Sequence, residues 1–186
     1  MKNIGTQDIY TARLILRRFS MDDAQKMFDN WASDDEVTTY LTWPTHRTVE
    51  DTKDILKLWT NSYEKDNFYL WAICFVETPE EPIGSISVVA MNEDISEIEI
   101  GYCIQKDYWH QGVTSEAFQG LIEYFFNETD VNRIIARYDV RNINSGYVMK
   151  KCGLMYEGTL RSGGRNNQGI CDCDVYSILR KDYFHS

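Results

Sequence analysis

The chain has 186 residues, of which 43% are hydrophobic, and it carries a net charge of −10. This length and composition predict one folded domain, 1–186, with a core of its own. The negative charge argues against nucleic acid as a partner, because the phosphate backbone would be repelled, and it suits a cationic partner.

The first thirty residues carry charges throughout and contain no apolar run long enough for a signal peptide or a membrane span. We therefore expect a cytoplasmic protein that does not associate with a membrane. The five cysteines are an odd number, which favours reduced thiols over a disulfide framework. Only two of them are close in sequence, as C-x-C with no histidine nearby, so we expect no metal site.

In chain order, the first half begins with a strand over 12–19. Ser20, with an acidic residue three positions on, predicts the start of a helix that runs to about Ala32. Thr48 and Asp51 repeat this capping pattern before a second helix. Three apolar segments then follow, 68–76, 83–90 and 96–104, and the turns between them predict three strands in a meander.

The second half places a helix after Gly112, with an apolar stripe at Ala117, Leu121, Ile122 and Phe125. A strand over 133–140 leads to a helix that begins at Asn142 and ends at Gly153. Two further strands, 154–160 and 175–184, are joined by a turn over 164–169. Alternating strands and helices predict an α/β (α+β) fold with parallel pairing in this half and antiparallel pairing in the first half.

The turn before the third helix is the first candidate site. Gly112 would let the backbone approach phosphate oxygens, and the N–H groups of a helix N-terminus attract anions. Gln111, Val113, Thr114 and Ser115 would complete this cradle, although an ordinary turn explains the glycine equally well.

The strand before that turn is the second candidate, because Glu97 and Glu99 project to one of its faces. They could present a carboxylate to a ligand, or they could belong to a solvated polar face.

A family resemblance joins these motifs. The run EIGYCIQKDYWHQGVTSEA, followed about thirty residues later by N-x-x-S and then GL, resembles the GNAT acetyltransferase superfamily. TARLILRRFSMDDA and YWHQGVTSEA resemble its RimJ/RimL group of ribosomal-protein N-terminal acetyltransferases, and the resemblance runs from about Tyr10 to Tyr183. It implies a mixed, mostly antiparallel sheet, splayed between its fourth and fifth strands, with helices on both faces and acetyl-CoA in the gap.

The resemblance also implies the cofactor-binding positions. The loop consensus of the family falls on Trp109, Gly112 and Thr114, and this sequence departs from it at the first and last of these. Asn142 and Ser145 match the positions that touch the pantetheine arm and the thiol end of the cofactor. The full set of expected cofactor contacts is Tyr102, Cys103, Ile104, Trp109, Gln111, Gly112, Val113, Thr114, Ser115, Asn142 and Ser145.

Acetyl transfer to an amine sets the roles of the remaining groups. An amine with a pKa near 10 must lose a proton before it attacks, so a base or a water chain is needed. Glu99 is the first candidate for that base and Glu97 the second. Many family members supply the acid from a tyrosine seven residues after the helix-starting asparagine, but Met149 stands there, which leaves Ser145, Tyr147 or water.

The acceptor is less well defined. Trp31, Tyr40 and Trp43 lie near the first two helices, which form one wall of the acceptor groove in the family, although core packing is an alternative for each aromatic ring. We expect an acetyl-CoA-dependent N-acetyltransferase that acts on a protein N-terminal amine of ribosomal-protein type by direct transfer in a ternary complex. The alternatives are a small amine such as a polyamine, an amino acid or an antibiotic, or an inactive CoA-binding regulatory module. A homodimer is a further option, because relatives dimerise and the last strands offer an edge.

Overall fold

The computed structural model describes residues 1–185, and within that range eight strands form one sheet in the order β1-β2-β3-β4-β5-β6-β8-β7. β5 and β6 pair in parallel, whereas the other neighbours are antiparallel. The mixed, mostly antiparallel sheet is therefore confirmed. The strands are β1 (Ile9–Tyr10), β2 (Leu14–Arg17), β3 (Leu70–Phe75), β4 (Thr78–Asn92), β5 (Glu97–Ile104), β6 (Arg133–Asp139), β7 (Met155–Asn166) and β8 (Gly169–Leu179).

The helices connect these strands and cover both faces of the sheet. Ser20 and Thr48 stand at helix starts, and their N–H groups donate to Asp23 and Asp51 respectively, as the capping patterns predict. The helices are α1 (Ala24–Met27, extended by a π-helical turn, Phe28–Ala32), α2 (Asp35–Thr38), α3 (Val49–Ser62), α4 (Val113–Glu128), α5 (Ile143–Lys151) and α6 (Arg180–Phe184). None of the helices in residues 1–185 combines the length and the apolar character that crossing a membrane requires.

Two hydrophobic cores lie on opposite faces of the sheet. On one face, Ile98 and Ile100 of β5 pack with α4, whose predicted stripe at Ala117, Leu121, Ile122 and Phe125 is buried. On the other face, Ala72 and Cys74 of β3 pack with residues of α1 and α3. The alternation of side chains along each strand explains why both faces need helices, since neither face is polar enough to stay in water.

Four differences from the sequence-based expectations concern the elements themselves. β4 extends well beyond 83–90 at both ends, because the polar residues flanking that segment still pair with β3 and β5. The last hairpin is longer than predicted, because cross-strand pairing continues through 164–169: β7 runs to Asn166 and β8 begins at Gly169, not at 175. β8 ends at Leu179, where the N–H donates to Asp182 and α6 begins. The parallel pairing expected in the second half is limited to β5 and β6, because β7 follows its helix into an antiparallel hairpin with β8.

The sheet opens between β5 and β6. These strands pair at three positions only, Glu97–Glu99 with Arg133–Ile135, after which β5 continues to Ile104 while β6 follows β8 as far as Asp139. Beside the opening, a register shift between Val88 and Ala90 bulges β4, which leaves Val89 out of the ladder with β5. β5 therefore ends with one edge uncovered. Because the short strand β1 was not among the predicted strands, β5 and β6 are the fourth and fifth of the predicted set, and this opening is the splay that the resemblance implies.

Candidate active site

A cavity of about 890 Å³ fills the opening between β5 and β6. Its lining runs from the start of α4, along the uncovered part of β5, to the segment that follows α2. The volume lies within the usual range for ligand sites, about 300–1,000 Å³. A single cavity therefore connects the predicted phosphate cradle with the predicted acceptor side.

Gly112 forms the cradle at the start of α4. Its φ of +76° is a left-handed conformation that glycine adopts without strain, and the residue supplies no capping side chain. Val113, Thr114 and Ser115 follow it in the first turn and line the cavity. Because the first N–H groups of a helix have no partner within the helix, this end of the cavity can bind an anion.

Two cationic side chains reach this cradle from distant parts of the chain. A Cβ atom added at Gly112 would lie 3.2 Å from Lys151 Nζ, at the end of α5, and 3.8 Å from Arg13 Nη2. Arg13 is held in place by Glu116 of α4, at 2.6 Å between Nε and Oε2, and by the carbonyl of Gln111. The cradle therefore combines helix N–H groups with the Lys151 ammonium group and with Arg13, whose charge is paired with Glu116.

The predicted contacts on β5 and in the following loop do not all face the cavity. Tyr102, Cys103, Ile104 and Trp109 line it, and the Trp109 indole donates to the Ile104 carbonyl at 3.0 Å. Gln111 is absent from the lining, since its side-chain amide donates to the carbonyl of Asp107. Burial raises the pKa of the Cys103 thiol, as expected for an inert core cysteine.

The start of α5 brings Asn142 and Ser145 together. The Asn142 amide donates to Ser145 Oγ at 3.2 Å, and both residues line the cavity. The Tyr102 hydroxyl donates to the main-chain carbonyl of Ser145 at 3.3 Å, which ties β5 to α5 across the opening. Met149 is a core residue, 1% exposed, whereas Tyr147 is 65% exposed and lines the cavity.

Glu99 stands at the point where the sheet opens. Its side chain is largely buried and forms two hydrogen bonds with Arg137 of β6, one of them 2.9 Å long from Nε to Oε1. The hydrogen bonds with Glu99 raise the pKa of Arg137. Both residues line the cavity.

Glu97 occupies a different position although it shares a strand face with Glu99. It pairs with Arg133, which also binds Glu157 of β7 through two hydrogen bonds. Glu97 is not part of the cavity lining. The structure therefore brings only one of the two predicted carboxylates to the cavity.

The three predicted acceptor aromatics also separate. Tyr40 and Trp43 line the cavity in the segment after α2. Trp31 is fully buried in the core beside Phe19 and Ala32 and does not line the cavity. Trp31 is therefore a core-packing residue, which was the alternative to a role in acceptor binding, since its side chain is buried in the π-helical turn.

A family model described as an acetyltransferase (GNAT) domain matches residues 13–155 of this chain. The chain belongs to the GNAT acetyltransferase family. It is thus an acyltransferase of the N-acetyltransferase type. The match runs from just before β2 to the first residue of β7, and so includes every residue that lines the cavity.

Two relatives of this GNAT acetyltransferase cover more than nine-tenths of the chain, and a third covers about half of it. Uncharacterized N-acetyltransferase YoaA of Bacillus subtilis is 31% identical over 170 residues, which is 91% of this chain and 95% of the relative. Uncharacterized N-acetyltransferase p20 of Bacillus licheniformis is 29% identical over 95% of this chain and 98% of its own length. The ribosomal-protein-serine acetyltransferase of Escherichia coli is 28% identical over 54% of this chain and 56% of its own length.

Solved structures share the fold of this GNAT acetyltransferase. A GNAT acetyltransferase from Bacillus anthracis superposes with a TM-score of 0.80 and 26% identity, over 94% of this chain and 99% of its own. RimL, the ribosomal L7/L12 α-N-protein acetyltransferase solved with coenzyme A, superposes with a TM-score of 0.82 at 18% identity, over 95% of this chain and 99% of its own. The likeness to RimL concerns the fold alone.

Sequence reasoning missed several cavity residues of this GNAT acetyltransferase. Lys151 and Arg137 line the cavity, and Arg13 approaches the cradle from outside the lining. None of the three gave a local signal, because each lies far along the chain from the Gly112 or Glu99 that it approaches. Ser85 of β4 also lines the cavity, and its hydroxyl lies 3.3 Å from Cys103 Sγ. Only the alternation of β4 toward the same face as Cys103 could have indicated Ser85.

Proposed function

We propose that this GNAT acetyltransferase transfers an acetyl group from acetyl-CoA directly to the N-terminal amine of a protein of the ribosomal type. The observation that carries the proposal is the single cavity, which joins the anion cradle at Gly112 to Tyr40 and Trp43 through the opening beside Glu99. Direct transfer requires both substrates in one site, and this cavity extends from the cradle to both aromatic residues. The chain 1–186 would act as one domain.

The residues at the cradle fit the cofactor. The pyrophosphate group needs N–H donors and positive charge, and the start of α4 offers both, with Arg13 and Lys151 beside Gly112. Thr114 stands where the family has a glycine or alanine, and it is largely buried at the surface of the cavity. Its methyl and hydroxyl groups therefore face the space that the pyrophosphate group would occupy. Acetyl-CoA, when bound, supplies the acetyl group as a thioester with a good leaving thiolate.

Glu99 is our candidate for the base that removes the proton from the acceptor amine. A carboxylate offers about four lone-pair sites, and Arg137 occupies two of them, so Glu99 can still accept a proton or orient a water. The two hydrogen bonds from Arg137 fix the direction of the carboxylate. Because Glu97 does not line the cavity, the proposal does not include it.

The uncovered edge of β5 provides the remaining main-chain groups. Beyond Glu99 this strand has no pairing with β6, so N–H groups near Tyr102 to Ile104 are candidates to stabilise an oxygen that gains negative charge. One such donor is typically worth about 3–4 kcal/mol in the transition state. For the leaving thiolate, our candidate proton donors are Ser145 and Tyr147, two of the hydroxyl-bearing residues that line the cavity, whereas Met149 has no proton to donate.

The acceptor end is formed by Thr38–Trp43, which we call the acceptor wall. Tyr40 and Trp43 offer aromatic faces to a cationic amine, with Glu36 close by in the lining. The name of the Escherichia coli relative, a ribosomal-protein-serine acetyltransferase, supports a protein N-terminus as acceptor. β7 lies at the edge of the sheet and could pair with a second copy, so a homodimer remains a proposal.

The first experiment follows thiol release from acetyl-CoA with a thiol reagent. The acceptor panel contains short peptides with ribosomal-protein N-termini, the same peptides blocked at the N-terminus, polyamines, amino acids and aminoglycosides. Turnover on free but not on blocked peptides is the expected result. Turnover on one small amine alone would overturn the peptide proposal, and binding of acetyl-CoA without turnover on any acceptor would favour a regulatory CoA-binding module.

A further inference from the structure

The tip of the β7–β8 hairpin is bound to the acceptor wall. Asn166 pairs with Gly169, so Asn167 and Gln168 form a two-residue turn. The Asn167 side-chain amide donates to the main-chain carbonyls of Thr38 and Trp43, both at 2.8 Å, and its own N–H donates to the carbonyl of Leu41 at 3.1 Å. One residue therefore holds three carbonyls of a segment more than 120 positions away.

The tip is itself anchored to the sheet. The side chain of Asn166 donates to Asp139 Oδ2 at 2.8 Å, and Asp139, at the end of β6, is buried and paired with Arg141. The N–H of Gln168 donates to the side-chain oxygen of Asn166 at 2.8 Å, which closes the turn. Asn166 thus fixes the tip to β6, and Asn167 extends this connection to the acceptor wall.

The acceptor wall depends on such external bonds for its shape. Thr38 is the last residue of α2 and the rest of the wall is irregular backbone, so strand partners do not hold its carbonyls. One bond within it, from Leu41 N–H to the Thr38 carbonyl at 2.9 Å, forms a turn. The residues from Thr39 to Trp43 nevertheless line the cavity in sequence, and their positions decide the width of its acceptor end.

We propose that Asn167 is a positioning residue that holds the acceptor wall in the conformation that binds the acceptor. The role in acceptor binding rests on the proposed function, whereas the latch between hairpin and wall does not. Asn167 lies outside the cavity lining and acts through Tyr40 and Trp43. Its loss should affect binding of the acceptor and leave the cradle for the cofactor unchanged.

Hydrogen exchange of the full chain tests the latch without any substrate. Asn167→Ala removes two of the three hydrogen bonds, and Asn167→Asp keeps the size of the side chain but cannot donate to the two carbonyls. Gln168→Ala is the matched control, because its side chain makes none of the three bonds. We expect faster exchange in both Asn167 variants in peptides that contain Leu41 or residue 167, whose N–H groups donate to the carbonyls of Thr38 and Leu41, and unchanged exchange in the control.

Exchange that rises uniformly over the chain, or that is the same in wild type and both Asn167 variants, would overturn the latch. With an acceptor from the panel, the Asn167 variants should raise the acceptor KM about five- to tenfold at nearly unchanged kcat. The affinity for CoA, measured by calorimetry, should stay within about twofold of wild type. A local change in exchange with an unchanged acceptor KM would refute the positioning role, whereas absence of turnover in the wild type would count against the proposed function alone.

Discussion

Replacing Gly112 by alanine tests the phosphate cradle without removing a catalytic side chain. The left-handed φ of +76° makes a residue with a Cβ atom less stable by about 1–2 kcal/mol. For a chain of this size that loss lowers the Tm by about 2–8 °C. The new methyl group would also lie 3.2 Å from Lys151 Nζ, so the ammonium group must move.

The effect on binding should exceed this strain. The methyl group would stand where a phosphate oxygen approaches the first N–H groups of α4. Loss of one hydrogen bond to a charged group, about 1.5–3 kcal/mol, corresponds to a CoA Kd that is about 10- to 100-fold higher. Titration calorimetry with CoA measures this value directly and needs no acceptor.

Gly153→Ala is the matched control. Its φ is +81°, and a Cβ atom there would meet its nearest neighbour, Ile178 Cδ1, at 4.0 Å, away from the cavity lining. This variant should lose stability as Gly112→Ala does and should bind CoA like the wild type. Equal CoA affinity of Gly112→Ala and wild type, or an equal loss in both variants, would show that the cradle does not bind the cofactor.

Three further predictions concern charged and thiol groups. Glu99→Gln should lower kcat/KM about 100-fold at neutral pH and leave the Kd for CoA unchanged. Glu97→Gln, at a residue outside the cavity lining, should have a kcat/KM close to that of the wild type. Equal effects of the two variants on kcat/KM would exclude Glu99 as the base. Hydrogen bonds from Arg133 hold the pKa of Glu157 at about 2, below its ordinary 4.5. Its contribution to the unfolding free energy is therefore present above about pH 4.5 and is lost as the pH falls toward 2. In urea unfolding at a series of pH values, Glu157→Gln should reduce the dependence of the unfolding free energy on pH in this range. The same dependence in the variant and the wild type would contradict the prediction. All five cysteines are buried, so the native protein should react slowly with a thiol reagent and rapidly after unfolding, and fast native labelling would contradict that burial.

The sequence predicted the parts of the site that are built from neighbouring residues. Gly112 immediately precedes α4, and Asn142 and Ser145 lie within one turn of each other at the start of α5. Local backbone rules therefore indicate the geometry at each of these two helix starts. The helix caps at Ser20 and Thr48 were confirmed for the same reason. Tyr40 and Trp43 line the cavity, but the aromatic content alone could not separate them from Trp31.

The ion partners could not be predicted, because they depend on the path of the chain in space. Arg13 meets Glu116 across 103 positions, and Arg137 meets Glu99 across 38. The predicted end of the last strand, at 184, was wrong for another reason. The five-residue helix α6 is too short for a clear 3.6-residue period, so its apolar residues continued the pattern of the strand before it.

The bulge of β4 and the opening of the sheet divide the molecule into parts that tolerate substitution differently. The cofactor end is built from buried residues such as Val113 and Ser115, where changes affect the packing of α4. The acceptor end is built from the loop after α2, which the tip of a hairpin holds, and substitutions at its exposed positions, such as Thr42 and Gln168, usually change stability by less than about 0.5 kcal/mol. Descendants of one such chain can therefore acquire new acceptors by changing two surface segments, while the same donor and the same sheet are retained.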